Sequence, residues 1–152
     1  MEKLLGKGHM KALWLRLLLK CGIIDRIAWM RSRGLTIGHD CALMHDIHID
    51  PGHEQYITIG NRVTIAPGAM ILAHDASAKR GGGVTKQSRV VVGDRVFIGA
   101  RALILPGVTI GDDCIIGAGS VVTHNIPSHS VACGNPAVVK TDMATFLKKR
   151  SA

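Results

Sequence analysis

Residues 92–127 read VGDRVF IGARAL ILPGVT IGDDCI IGAGSV VTHNIP. Each six-residue block opens on an aliphatic side chain: Val92, Ile98, Ile104, Ile110, Ile116 and Val122. The next residue is Gly93, Gly99, Leu105, Gly111, Gly117 or Thr123. Four places after the aliphatic residue comes Val96, Ala102, Val108, Cys114, Ser120 or Ile126, mostly small. A helix repeats its buried face about every 3.6 residues and a strand every two, so a sustained period of six belongs to neither. It predicts a solenoid in which each block is one short strand and a corner. The aliphatic side chain points into the prism and the small residue keeps the walls close. The glycine is expected to supply a corner geometry that a Cβ would forbid.

The same beat extends upstream with two breaks. Ile37, Leu43 and Ile49 are six apart, an excess of four residues interrupts at 50–55, and Ile59, Ile65 and Ile71 resume the step. The second break, from Ile71 to Val92, is 21 residues long and includes DASAKRGGGVTKQSR at 75–89, whose Gly and Lys content reads as a loop leaving the prism directly after His74. Insertions in solenoids project outward at a corner, commonly on the functional face. Downstream, Pro127 is expected to end the repeat and Asn135-Pro136 to mark a turn. Asp142 is placed to N-cap a short helix over 143–150, with basic residues at its favourable C-terminal end.

The 152 residues are one domain's worth, and 47% hydrophobic content is enough for a core. Aromatic content of 3% suits a narrow prism filled by Ile, Val and Ala. Cys21, Cys41, Cys114 and Cys133 show no disulfide or metal spacing. Cys41 and Cys114 sit at small-residue positions of their blocks and are expected to be buried, reduced thiols, which favours the cytoplasm.

The net charge of +8 is uneven, because residues 1–34 hold eight Lys/Arg against two acids. This segment reads as helical, with Met10, Leu13, Trp14, Leu17, Leu18 and Cys21 on one stripe and a break at Gly22 before a second piece over 23–31. Lys11, Arg16, Lys20, Asp25 and Arg26 interrupt its apolar runs, so neither a bilayer span nor a secretory signal fits. The first reading is a cap covering the open end of the first coil, and the second is an interfacial helix on anionic lipid. The organisation expected is therefore a helical cap at 1–34, a repeat domain at 35–140 carrying the loop 75–89, and a C-terminal helix and tail at 141–152.

The six blocks, the run IAPGAMILAHD at 65–75 with its inserted loop, and Gly134-Asn135-Pro136-Ala137 resemble the hexapeptide-repeat acyltransferases. The similarity is greatest to the branch that O-acetylates galactosides, maltose and capsular polysaccharides. The resemblance covers roughly residues 35–140. It implies a mainly β chain folded as a left-handed parallel β-helix with three blocks per coil, so that 92–127 supply two coils. It also implies a homotrimer with active sites between subunits, and acetyl-CoA-dependent transfer to a sugar or polysaccharide hydroxyl without a metal. In such enzymes the histidine at the base of the loop is the general base, here His74. That chemistry is sound, because removing a hydroxyl proton during attack on a thioester suits a neutral imidazole.

The resemblance carries further residues with it. Positions matching Gly99, Ala100, Gly117, Ala118 and Thr123 meet the pantetheine arm, and small residues there let it approach the backbone. His124 and Val138 stand where relatives often carry Lys or Arg for the nucleotide phosphates, so Lys140, or Lys79 and Arg80 from a neighbouring subunit's loop, are the candidates for that work. Among His45, Asp46, His48, Asp50 and His53, Asp50 and then Asp46 match a residue that holds acceptor hydroxyls, as a carboxylate can. Phe97 matches an aromatic lining the acceptor site. Alternatives stay open: an antibiotic or other small hydroxyl or amine acceptor, or a zinc lyase like the γ-type carbonic anhydrases, for which His48-x-x-x-x-His53 has one of the spacings, although that family's third ligand precedes the pair and His74 follows it. Nucleic-acid binding is not expected, since basic residues are not interleaved with aromatics.

Overall fold

The computed structural model describes residues 26–151. The chain falls into two units, Met1–Arg33 and Gly34–Ala152. The first contributes one described helix, α1 (Arg26–Ser32), with Arg33 stacked over the Trp29 ring at 5.2 Å. The stripe expected between Met10 and Cys21 lies outside the described residues. No helix among the described residues is long and apolar enough to cross a membrane.

The second unit is a left-handed parallel β-helix whose coils each place one short strand on each of three faces. The first face stacks Thr36–Ile37, Ile57–Ile59, Val90–Val92 and Thr109–Ile110. The second stacks Ala42–Leu43, Thr64–Ile65, Phe97–Ile98 and Ile115–Ile116, and the third His48–Ile49, Met70–Ile71, Leu103–Ile104 and Val121–Val122. Pairing within each face is parallel and in register, so Ile98 lies between Ile65 and Ile116, and Ile104 between Ile71 and Val122. The aliphatic column of 92–122 is the core, each of its six members 1% exposed or less.

The glycines behave differently from the sequence expectation. Those that follow the aliphatic residue, such as Gly93, are absent from the positive-φ set. The left-handed conformation falls two residues later, at Asp40, Arg62, Arg95, Asp113 and His129 on the first corner and at Gly68, Arg101 and Gly119 on the second. Gly93 is glycine for a different reason. A Cβ there would lie 2.9 Å from the backbone of both Gly111 and Asp112 in the next coil, and would collide with the Asp112 side chain. Stacked strands about 4.8 Å apart leave no room for a methyl group at this corner. One position beyond, a side-chain ladder satisfies the outward-turned amides. Asn61 accepts from His39 N, Asp94 from Asn61 N, Asp112 from Asp94 N, and Ser128 Oγ from Asp112 N, at 2.7–3.1 Å.

Three further expectations are corrected. Pro127 does not end the sheet: Ile126 bridges to Ile110, and Ser130–Gly134 continues the second face, pairing parallel with Ile115–Ile116. The expected turn at Asn135-Pro136, with a cis peptide, then folds Ala137–Asp142 back antiparallel onto that strand. Cys41 is half-buried, its Sγ donating to Gly60 O at 3.2 Å, while Cys114 is fully buried as expected. The inserted segment is not a plain loop. His74–Asp75 and Lys86–Gln87 form a short antiparallel ladder around a 3₁₀ turn, Ser77–Gly81. The helix α2 (Met143–Arg150) is capped as predicted, Asp142 Oδ1 accepting from Thr145 N at 2.8 Å.

Two substitutions separate the two roles of glycine. Gly119→Ala meets open space but sits at φ 68°, so it should cost about 1–2 kcal/mol, the penalty of the left-handed conformation. Gly93→Ala, at ordinary φ, should cost more than that, because the obstacle is backbone. Urea denaturation of both variants measures the order.

Candidate active site

Both insertions leave the prism at the same corner, where the third face passes to the first, in consecutive coils. The earlier one begins Asp50-Pro51-Gly52-His53, with Pro and Gly in the central positions of a type II turn and Gly52 at φ 87°. His53 N donates to Asp50 O at 3.1 Å and closes it. A 3₁₀ turn, Glu54–Tyr56, follows, and the buried Glu54 accepts the Gly52 amide at 2.8 Å. The later insertion departs at Ala73 and His74. In the stacked register Ile49 pairs with Ile71, so the residues after each meet at one corner.

Asp50 is 1% exposed and lies against His74. Its Oδ2 accepts from Ala73 N at 2.8 Å, His74 N at 3.1 Å and His74 Nδ1 at 2.6 Å. Burial by itself would raise the carboxyl's pKa. The Ala73 amide, the His74 ring and the nearby charges of His74 and His53 outweigh burial and hold Asp50 below its ordinary value. A carboxylate only accepts, so Nδ1 of His74 carries a proton, and in the neutral ring Nε2 keeps its lone pair. The His74 side chain is 33% exposed. The His53 ring stacks on that of His74 at a centroid distance of 4.1 Å and an interplanar angle of 21°. Tyr56 Oη donates to Gln87 Oε1 at 2.9 Å and ties the two insertions together.

The candidate cofactor-binding residues divide between two edges. Gly99, Ala100, Gly117 and Ala118 share the corner between second and third faces, where Gly119 N donates to Ala100 O at 2.8 Å and a Cβ on Gly99 would lie 2.5 Å from Ala118 N. Thr123 and His124, bonded to each other at 2.8 Å, follow the third face at the corner from which the insertions leave, two coils beyond Ile71. Lys140 is exposed on the last strand, and Lys79 and Arg80 are exposed on the 3₁₀ turn of the later insertion.

The acceptor candidates do not come together within one chain. Asp46 is exposed at φ 55° on the corner between second and third faces, and Phe97, 43% exposed, points out of the second face. Only Asp50 adjoins His74. Its buried Oδ2 accepts three hydrogen bonds, two from backbone amides and one from the His74 ring. The three-histidine arrangement is not found: His48 is exposed on the third face beside Met70, and the group that converges is Asp50, His53 and His74. Reading the hexads in threes and aligning Ile49 with Ile71 is the signal that would have paired Asp50 with His74.

This prism defines a class, that of the hexapeptide-repeat proteins, and residues 89–124 match the family model described as hexapeptide repeat of succinyl-transferase. The chain is 39% identical to the protein CapG of Staphylococcus aureus over 133 residues, which is 84% of this chain and 76% of CapG. A maltose O-acetyltransferase of Clostridium difficile superposes with a TM-score of 0.63 at 33% identity, covering 78% of this chain and 74% of that one. A hexapeptide-repeat acetyltransferase of Vibrio cholerae, solved with acetyl-coenzyme A, gives a TM-score of 0.61 at 26% identity over 78% and 76% of the two chains. The chain belongs to the hexapeptide-repeat acetyltransferase family and is an acyltransferase.

Replacing Asp50 by Asn removes the charged acceptor of three hydrogen bonds and should cost about 1–3 kcal/mol at neutral pH. Because the folded carboxyl titrates below its ordinary value of 3.8, the wild-type advantage should be complete above that pH. It should shrink as the pH falls below 3.8 towards the folded value. Urea denaturation of both proteins across this range reads the convergence.

Proposed function

We propose that the protein transfers acetyl from acetyl-CoA to a hydroxyl of a sugar or polysaccharide unit, in one ternary complex, with His74 as general base. The observation that carries this reading is the 2.6 Å bond from His74 Nδ1 to the buried Asp50. It leaves Nε2 as the proton acceptor and sets a negative charge against the imidazolium that forms. The acceptor oxygen attacks the thioester carbonyl carbon while its proton passes to Nε2. The tetrahedral intermediate then collapses with cleavage of the C–S bond, and the proton on Nε2 returns to the departing thiolate. Asp50 is a positioning residue, since it touches neither reactant.

The pantetheine arm would run along the small-residue edge at Gly99, Ala100, Gly117 and Ala118, with Thr123 and His124 at the other edge of the third face and Lys140 towards the phosphates. Asp46 and Phe97 would serve the acceptor. That these groups lie on different edges of one prism supports a homotrimer, in which a neighbour's prism lies alongside and completes each site. The maltose enzyme among the relatives supports a saccharide acceptor, and the reduced thiols a cytoplasmic setting.

Thiol release from acetyl-CoA in the presence of a panel of mono- and disaccharides tests this. His74→Ala should lower turnover roughly 10²–10⁴-fold with acetyl-CoA binding, followed by calorimetry, nearly intact. Undiminished turnover would remove His74 from the mechanism.

A further inference from the structure

We infer that Asp50, His53 and His74 form a zinc-binding site whose occupation switches the acetyltransferase off. One ligand atom from each residue lies within 4.8 Å of the others. His53 Nδ1 is buried and makes no hydrogen bond. It faces Asp50 Oδ1 at 3.6 Å, beyond hydrogen-bonding range, and this is the carboxylate oxygen that His74 and the Ala73 amide leave unused. A tetrahedral zinc ion bound at about 2.0–2.1 Å to nitrogen and 2.0–2.2 Å to oxygen sets two ligand atoms about 3.3–3.5 Å apart. The span between His53 Nδ1 and Asp50 Oδ1 therefore accepts the ion with a shift of a few tenths of an ångström. His74 joins it by turning its ring out of the 4.1 Å stack on His53 and off Asp50 Oδ2, because the lone pair of a ligating nitrogen lies in its ring plane.

The chemistry of the donors agrees with the spacing. Two imidazoles and one carboxylate, with water at the remaining position, are a zinc set, whereas magnesium and calcium prefer oxygen throughout. The His53 and His74 side chains are 21% and 33% exposed, which leaves an approach from solvent.

The third ligand makes the site inhibitory. For His74 to bind through Nδ1, the ring proton must move from Nδ1 to Nε2, and the lone pair that would accept the hydroxyl proton is then gone. No atom is gained or lost in that shift; the base has exchanged its tautomer for a metal bond. The inhibitory consequence rests on the proposed role of His74, while the binding site does not.

Metal-free full-length protein titrated with zinc chloride by calorimetry should bind one ion per chain in the micromolar range or tighter, and a parallel magnesium chloride titration should show no binding. His53→Ala and the bulkier His53→Gln, both checked for folding by thermal unfolding, should weaken zinc at least tenfold, and His48→Ala should leave it unchanged. Wild-type affinity in both His53 variants, or no zinc uptake up to about 1 mM, overturns the site. In the acetyl-transfer assay, zinc should abolish turnover over the concentrations that fill the site, and EDTA should restore it. Full turnover with the site filled overturns the inhibition. Absence of turnover in EDTA-treated wild type would instead count against the proposed function, with the titration still deciding the zinc site.

Discussion

The close approach of one coil to the next is the constraint on which everything else in this molecule depends. Parallel strands of two or three residues cannot hold a sheet by themselves; they persist because each coil repeats the path of the one before it and every strand finds its partner in register. That repetition fixes which side chains are tolerated where. Aliphatic residues fill the axis, glycine stands where the next coil's backbone is nearest, and the corner residue in the left-handed region turns the chain. Asp and Asn are common at the corner position between, because a short acceptor there bonds the amide of the preceding coil.

Not every corner is equally tight. At the first corner Gly38, Gly60, Gly93 and Gly111 follow the aliphatic residue, and added Cβ atoms would run into the next coil. At the third corner the same position holds Asp50, Leu72, Leu105 and Thr123. This is also the corner from which both insertions leave. A side chain has room here, and the chain can depart and return without breaking the stack. The candidate site residues Asp50, His53 and His74 have collected where the packing constraint is relaxed.

Burying Asp50 at that corner is costly unless its charge is matched, and the structure matches it with two amides and one ring on a single oxygen. The same bonds that make the carboxylate tolerable determine which nitrogen of His74 remains free. His53 arrives by an independent route, through the turn set by Pro51 and Gly52, and stacks on His74 without a partner for its own inner nitrogen. One carboxylate thus faces two stacked imidazoles, one oxygen to each, which is why the proposed base and the proposed zinc site would draw on the same atoms.

How much of this was legible in the sequence depends on the range of the interaction concerned. The period of six, the two interruptions, the exit of the chain at His74 and the Asp142 cap are local patterns, so the sequence by itself determined the solenoid, its insertions and its terminal helix. The continuation of the second face past Pro127 was hidden because Val131 and Ala132 read as a strand only beside Ile115 and Ile116. The true reason for glycine at Gly93 was hidden because the clash is with residues of the next coil, 18 positions on. Asp50 and His74 are 24 residues apart and become neighbours only when Ile49 stacks on Ile71. Tertiary structure alone decided that pairing, and with it the tautomer of the candidate base, because a hydrogen bond between coils depends on register, which no local run of residues contains.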